Sequence, residues 1–578
     1  MTNKVAGYQR GEGTLPDRHW LWPLYGQGLD ALGRDGAPIE VPLPVPAADQ
    51  LLVRHDAVGL CFSDTKVIAA GESHPRLLGR DMKQNPVVLG HEVALTVVAV
   101  GAHLADRYRP GDRFIMQADI YYRGVGLAYG YALQGGLSQY NLVGEEILNG
   151  DEGCYLIPMA DATGYAQGAL TEPWACVVAA YRIVYRKAWK PGGTVAVVAG
   201  PAVDPDTVLG DPFDPAGAPA QVLMVGLPAG LRAELEAAAT ARGSNLTALD
   251  SLEALVGTDV TPRFDDLVLL GADAEMYARL EPLAAKGALI ALVGAAGLAG
   301  PAPVDVGRLH YDGLGLMGTA SAEIGAAYAP IRTEFQPGGC MALVGAAGPM
   351  GQMHFQRALQ APVPPRVIAA TSRVMDRLHL LPAKYASLID ARSDVTRVLT
   401  LASTGISPEA FVTALCNATD GKGYDDVVIL APSAGVVEQT YPLLAPGGVM
   451  NIFAGLPRGT RAMLDLTAVV SKGVRLIGSS GSLIDDLRHM LEVTERGALD
   501  PNLSVVAVAG LNAAKEGLAG VMHSQYPGKV VIYPQVLAFP LTRLSDLAQS
   551  LPSVYAKLGP NESWTVEAER AFLEELLP

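Results

Sequence analysis

Two short motifs in the first third of the chain carry side chains that can hold a metal. Cys61-Phe62-Ser63-Asp64 offers a thiolate and a carboxylate, and Gly90-His91-Glu92 offers an imidazole and a second carboxylate. Sulfur, nitrogen and oxygen donors of this kind suit Zn(II) at sites that keep one coordination position open. Glu172, in Thr171-Glu172-Pro173-Trp174, reads as the opening of a helix and adds a further carboxylate. Taken singly, each motif has a plainer reading. A lone cysteine is usually a small buried hydrophobe, and a His-Glu pair usually lies at the surface. A third motif is rich in glycine: Leu343-Val344-Gly345-Ala346-Ala347-Gly348-Pro349-Met350-Gly351, after a strand-like run and before a helical one. Its glycines permit a tight turn and close backbone approach, and the helix N-terminus beyond them can hold a pyrophosphate.

The elements that must position these groups fall into two textures. Residues 1–190 alternate in short segments broken by Gly and Pro. Leu51–Val58 and Glu92–Val100 are strand-like, Pro110-Gly111-Asp112 turns into another strand at Phe114, and a helical stretch is expected from about Ala169 to Lys187. From Pro191 the pattern becomes strand, loop, helix, strand, the mark of a doubly wound α/β fold. It occurs twice. Lys190-Pro191-Gly192-Gly193 matches Gln336-Pro337-Gly338-Gly339, and Phe264-Asp265-Asp266 matches Tyr424-Asp425-Asp426. Pro282-Leu283 then matches Pro442-Leu443, and Gly318 matches Gly478, the last three pairs all at one offset of 160 residues. We read two tandem copies of one unit. They differ where a cofactor would bind: the first copy has a Pro- and Asp-rich stretch from Pro201 to Ala220 in place of the glycine turn. Its first helix is not expected to form, so the cofactor belongs to the second copy.

Bulk composition narrows the function. Net charge is −16, which repels phosphate backbones and anionic lipid, so neither nucleic acid nor membrane is an expected partner. Five scattered cysteines form no disulfide framework, and no apolar run reaches about 20 residues, as a span would require. The expectation is a cytoplasmic protein.

Taken in order, Cys-x-Ser-Asp, Gly-His-Glu, Glu-Pro, Pro-Gly-Gly and the glycine turn resemble the zinc-dependent medium-chain alcohol dehydrogenase family. Within it the pattern looks most like the polyol and sugar-phosphate branch of sorbitol dehydrogenase and sorbose-1-phosphate reductase. Cys61 through Lys66, the spacer through His74-Pro75-Arg76, Asp425-Asp426-Val427 and Phe539 through Asp546 point that way. The resemblance implies a GroES-like, β-rich zinc catalytic domain at 1–190, completed by about 523–540. The internal repeat adds an inserted degenerate Rossmann-like unit at 191–335, and the resemblance implies a nicotinamide-binding Rossmann domain at 336–522 and a C-terminal helical tail at 541–578. It also implies that Cys61 and His91 ligate zinc directly, that Glu92 and Glu172 share the remaining positions with water or substrate, that Ser63 relays the alcohol proton and that Asp64 supports the ligands. The four closely spaced cysteines of the family's structural zinc lobe are missing between 116 and 153, so one catalytic zinc is expected. Such an ion lowers the pKa of a bound hydroxyl, while the nicotinamide carries the hydride.

Cofactor choice is partly readable. The strand after the glycine turn, Arg366–Ala370, ends in Thr371-Ser372-Arg373 with no acid for a ribose 2′-hydroxyl, and Ser372 and Arg373 suit a 2′-phosphate, which favours NADP over NAD. The plainer view of Arg373 is a solvated residue at a helix start. Gly345, Gly348, Pro349, Met350 and Gly351 complete the expected cofactor set. Lys66, His74, Arg76, Arg80 and Lys83 form a basic concentration that fits either a sugar phosphate or an ordinary solvated loop. The expected enzyme is an oligomer, dimer or tetramer, that acts on an alcohol, polyol or sugar phosphate. Two rival readings use the same scaffold: a zinc-free quinone or enone reductase, and a non-catalytic nucleotide-binding or assembly protein.

Overall fold

The structure, a computed structural model, describes residues 4–182, 185–258, 263–295, 298, 300–373 and 375–578. Two sheets organise it. The first is eight-stranded and is built on β1 (Leu51–Gly59), whose nine residues are all buried. α1 (Phe62–Ala70) leaves its end, and β2 (Glu92–Val100) returns beside it, antiparallel, so that Gly59 faces Glu92. β3 (Arg113–Met116) and β4 (Leu156–Pro158) extend one side.

α2 (Tyr165–Ala179) then packs across β1 and β2. The sequence places this helix at about 169–187, opening near Glu172; instead it opens at Tyr165, ends at Ala179 and carries Glu172 in its middle. Residues 183 and 184 of the expected stretch lie outside the described ones. The helix tolerates Pro173 in its interior because burial of Tyr165, Leu170 and Trp174 outweighs one lost backbone hydrogen bond. Its first free amides are taken up from far away. The carboxylate of Glu569 accepts from the N–H of Tyr165 (2.6 Å) and of Ala166 (2.7 Å), placing negative charge at the positive end of the helix.

The second sheet has twelve strands. Its first half comprises β5 (Thr194–Ala199), β6 (Gln221–Val225), β7 (Asn245–Leu249), β8 (Phe264–Leu270), β9 (Ala284–Val293) and, after the short β10 (Ala302–Asp305) and helix α3 (Val306–Tyr311), β11 (Gly315–Thr319). Its second half repeats the plan. β12 (Cys340–Val344) leads through the glycine turn into α4 (Pro349–Gln360), then β13 (Val367–Ser372), β14 (Arg397–Ala402), β15 (Tyr424–Ile429), β16 (Leu444–Ile452), the short β17 (Arg461–Leu464) and β18 (Arg475–Gly478). The order is β7-β6-β5-β8-β9-β11-β18-β16-β15-β12-β13-β14, parallel within each half and antiparallel where β11 meets β18.

The duplicated motifs turn out to be clamps. In the first unit Asp265 accepts from the N–H of Thr194 (3.0 Å), while Asp266 pairs with Arg186 (2.7 Å) and accepts from Lys190 N–H (3.0 Å). In the second, Asp425 accepts from Cys340 N–H (2.7 Å), while Asp426 pairs with Arg332 (2.7 Å) and accepts from Gln336 N–H (2.8 Å). Both acid pairs tie the Pro-Gly-Gly turn to the strand beside it. The first unit has no helix between β5 and β6 among the described residues. Leu209 and Phe213 from the Pro- and Asp-rich stretch are buried with Trp189 instead.

The chain then re-enters the first sheet with β19 (Val505–Gly510) and β20 (Lys529–Tyr533), β20 pairing antiparallel with β1, before β21 (Thr542–Arg543) and a last helix, α5 (Val566–Leu576). The second α/β unit therefore gives way to the first sheet near Val505, ahead of the expected return at 523. Five of the six residues of β19 are buried, and the helix after it is its crossover to the parallel strand β20. No helix among the described residues is long and apolar enough to cross a membrane.

Candidate active site

The end of β1, the start of α1 and the start of β2 meet at one point, and three expected ligands meet with them. One donor atom from each of Cys61, His91 and Glu92 lies within 4.8 Å of the others. Cys61 sits at the N-cap of α1, where its backbone N–H donates to Asp64 (3.0 Å). Asp64 is fully buried and also accepts from His91 Nδ1–H (3.1 Å) and from Gly90 N–H (3.3 Å). That contact fixes the imidazole tautomer and leaves Nε2 as the donor, the arrangement expected behind a metal-binding histidine. Burial works against an imidazolium here, but the Asp64 carboxylate, Tyr131 and Cys61 outweigh it and hold His91 well above the usual imidazole range.

Glu92 is wholly buried. Its Oε1 accepts from the ammonium of Lys529, the first residue of β20, at 2.5 Å. Burial opposes that ammonium, but Glu92 raises its pKa, and the lysine stays charged. The second oxygen, Oε2, has no partner among the described residues. It fits only because residue 59 is glycine, since a Cβ there would come within 2.1 Å of it. A buried carboxylate oxygen without a donor is costly. With a sulfur and an imidazole alongside, the donor set fits a zinc ion.

Glu172 stands outside this tight group. It is half-buried on α2, and withdrawal from water pushes its carboxyl up to about 7, with His91 and Lys529 opposing and Glu92 adding to the shift. One turn on, Cys176 is no second thiolate: burial drives its thiol well above the usual range, and it contacts Ser482 Oγ at 3.8 Å. Ser63 is half-buried in the first turn of α1. Trp174 and Tyr181, read from sequence as packing residues, are buried, their polar atoms bonded to Ser504 (3.0 Å) and His354 (2.7 Å).

Residues beyond the carboxyl end of β18 close on this centre. Ser482 O accepts from Gln117 Nε2–H (2.8 Å), so the second α/β unit meets the β-rich domain beside Cys176 and Glu172. The glycine turn lies on the same edge of the sheet. Gly345 adopts φ +99°, and its N–H and that of Ala346 donate to Thr371 O (3.0 and 2.8 Å), bringing the end of β13 against the turn. Gly351 packs on the turn so closely that a Cβ would lie 2.5 Å from Ala346 Cα. Around Gly348, by contrast, no atom of the described residues lies within 4 Å of where a Cβ would be, and Pro349 and Met350, half-buried, begin α4 beside that space. In the first unit the corresponding space is filled, since Gly271 lies directly against Ala202. Thr371 is buried, Ser372 half-buried and Arg373 exposed, with no ion pair among the described residues.

Of the basic concentration, Arg76 pairs with Asp119 and Arg80 donates to Ala132 O, so both are committed to the fold. Lys66 and Lys83 are exposed and His74 is half-buried. Tyr131 links this loop to the metal-type centre, with its ring 5.6 Å from both His74 and His91 and 5.3 Å from the Arg76 guanidinium. Sequence reasoning missed Lys529 and Tyr131, which sit in no motif. Two cavities, of about 1180 and 260 Å³, open elsewhere and are lined by none of Cys61, His91 or Glu92. The site is therefore identified by side-chain chemistry rather than by cavity size.

Residues 47–149, which contain Cys61, His91 and Glu92, match the alcohol dehydrogenase GroES-like domain. The L-sorbose 1-phosphate reductase of Klebsiella pneumoniae is 28% identical over 241 residues, 41% of this chain and 55% of that protein. The sorbitol dehydrogenase of Bombyx mori is 37% identical over 78 residues, 14% of this chain and 21% of that protein. By this domain and these relatives the chain is similar to the medium-chain alcohol dehydrogenases. The shared domain and the relatives support an oxidoreductase of the medium-chain type. The likeness extends along the whole dehydrogenase chain in the mannitol-1-phosphate 5-dehydrogenase of Aliivibrio fischeri, 24% identical over 544 residues, 92% of this chain and 93% of that protein.

Proposed function

We propose that this dehydrogenase uses one zinc ion, held by Cys61, His91 and Glu92 with Glu172 in reserve, to interconvert a secondary alcohol and a ketone of a polyol, sugar or sugar phosphate, with NADP preferred to NAD. The observation that carries the reading is the meeting of sulfur, imidazole and an unpartnered carboxylate oxygen within 4.8 Å. Two relatives that act on phosphorylated polyols or sugars by name support the substrate class. So does exposed Lys66, on the same helix as Ser63. Zinc bound there would act as a Lewis acid toward the substrate oxygen.

The chain's own residues do the rest. Asp64 keeps the His91 ring oriented, and Lys529 fixes the Glu92 carboxylate through one of its oxygens. Ser63 accepts the hydroxyl proton and passes it toward solvent. The turn at Gly345–Gly351 would hold the dinucleotide, with Thr371 and Ser372 available to its ribose, and the bound nicotinamide would supply or accept the hydride.

Two substitutions test the cofactor half. Gly348→Ala meets no atom of the described residues within 4 Å, so the melting temperature of cofactor-free protein should fall by no more than the few degrees that an N-cap alanine costs. Dinucleotide affinity, measured by fluorescence titration, should fall by about tenfold, since a methyl group there meets only the ligand (~1.4 kcal/mol). Arg373→Ala should weaken NADP by about 10- to 100-fold while leaving NAD within about twofold, because a guanidinium–phosphate contact is charge-assisted. Equal loss for both nicotinamides would remove the argument for NADP. The whole reading is tested by following nicotinamide absorbance with zinc-loaded protein across polyols, ketoses and their phosphate esters. Turnover with NADP on at least one is expected, and silence across the panel with both nicotinamides would refute it.

A further inference from the structure

The two α/β units meet in a way that two copies of one protein meet around a two-fold axis. Gly478 in β18 packs so tightly on α3 that a Cβ would lie 2.4 Å from Leu309 O. Gly318 in β11 packs on Val469, where a Cβ would lie 3.2 Å from its side chain. Positions 318 and 478 are equivalent in the repeat, and so are 309 and 469, each pair 160 residues apart. Residue i of one unit touches j of the other, and j touches i, which defines a self-complementary interface.

The strand registers give the same axis. β11 pairs antiparallel with β18 at Leu316 and Leu476, a residue and its own equivalent. β10 pairs antiparallel with β17, with Pro303 opposite Met463, again a residue and its equivalent. On either side, Ala302 faces Leu464 and Val304 faces Ala462, so the pairing is symmetric about that point. Ala302, Val304, Ala462 and Leu464 are all buried. Two independent ladders and one pair of glycine contacts thus share one pseudo-two-fold.

Alone, the second unit would leave β18 as an open edge, with its hydrogen-bonding groups free to recruit a matching strand. Here β11 of the first unit fills that place. α3 also reaches the carboxyl end of β16, where His310 Nδ1 bonds Ile452 O (3.1 Å) and Tyr311 Oη would lie 2.7 Å from a Cβ at Gly455. That edge is where ligands of such sheets bind, so the first unit walls the crevice of the second.

We propose that the first α/β unit is a tethered stand-in for a second copy, so that this chain completes its sheet and its site alone and acts as a monomer, in place of the dimer or tetramer expected from sequence. The proposal does not depend on which alcohol the enzyme oxidises. Sedimentation equilibrium of the full chain should give 60.4 kDa, unchanged from low micromolar to about 100 µM, with specific activity constant on dilution. A stable particle of twice that mass would overturn the proposal. A second measurement uses Met463, which lies on the axis and is half exposed. If this face bound another copy, Met463→Cys would set two such thiols opposite each other, within disulfide reach, and mild oxidation would give a covalent dimer. The expected result is no cross-linked band beyond that of the wild type, whereas the double variant P303C/M463C closes a disulfide within one chain. A covalent dimer from M463C alone would overturn the proposal, however the wild type sediments.

Discussion

Replacing Cys61 by alanine should reduce kcat/KM by about a thousandfold or more, equivalent to the several kcal/mol that a Lewis-acidic cation contributes at a developing alkoxide. The same change should lower zinc content from about one ion per chain to near zero, because a site with one sulfur, one nitrogen and carboxylates loses its strongest donor. The fold should survive. Cys61 caps α1 through its backbone N–H, which donates to Asp64 at 3.0 Å, and alanine keeps that bond. Circular dichroism and dinucleotide affinity should therefore stay near wild type while turnover collapses. A C61A protein that turned over substrate within about tenfold of wild type would place the chemistry elsewhere.

The second large effect is on stability. Lys529→Met should cost the metal-free protein about 3–5 kcal/mol, since it strands the Glu92 carboxylate in a fully buried site. Both side chains are within 5% of complete burial, so solvent screening does not soften the loss. Zinc should restore part of it, because the cation then neutralises Glu92 in the lysine's place. The double variant E92Q/K529M should recover most of the stability yet bind zinc poorly, since the charge that needed a partner is gone. Denaturant titrations with and without chelator separate these outcomes. Equal destabilisation by K529M in zinc-free and zinc-loaded protein would show that the ion does not touch Glu92.

The parts of this site that lie next to one another in sequence were the legible parts. Cys61, Asp64, His91 and Glu92 fall in two motifs at the ends of adjacent strands, and β-branched runs with Gly and Pro at their borders announce those strands. Lys529 was not legible, because it reaches Glu92 across 437 residues of chain and only sheet order brings them together. Helix α2 was misplaced because a Thr-Glu-Pro run looks like a helix start, whereas the true start is set by Glu569 from the C-terminal helix. Asp425-Asp426 carries a role that the sequence did not disclose. It was read as a mark of the sugar-phosphate branch, yet the same acids occur at Asp265-Asp266 in the unit that lacks the glycine turn and perform the same clamping there. A motif kept in both copies serves the fold, whereas one kept in a single copy, like the turn at Gly345–Gly351, is where function is to be sought. The two copies and their degeneracy could be read from spacing alone. That they face each other about an axis could not, because the offset says nothing about which edges meet.

The central claim is that a zinc ion sits among Cys61, His91 and Glu92 with a dinucleotide on the second glycine turn. Diffraction at the zinc absorption edge, from crystals grown with zinc and NADP, tests it directly. The account predicts one strong anomalous peak at about 2.3 Å from Cys61 Sγ and about 2.0–2.1 Å from His91 Nε2, with the cofactor ring in the same crevice. An anomalous map with no peak at these residues, or a dinucleotide seated in the first unit, would contradict it.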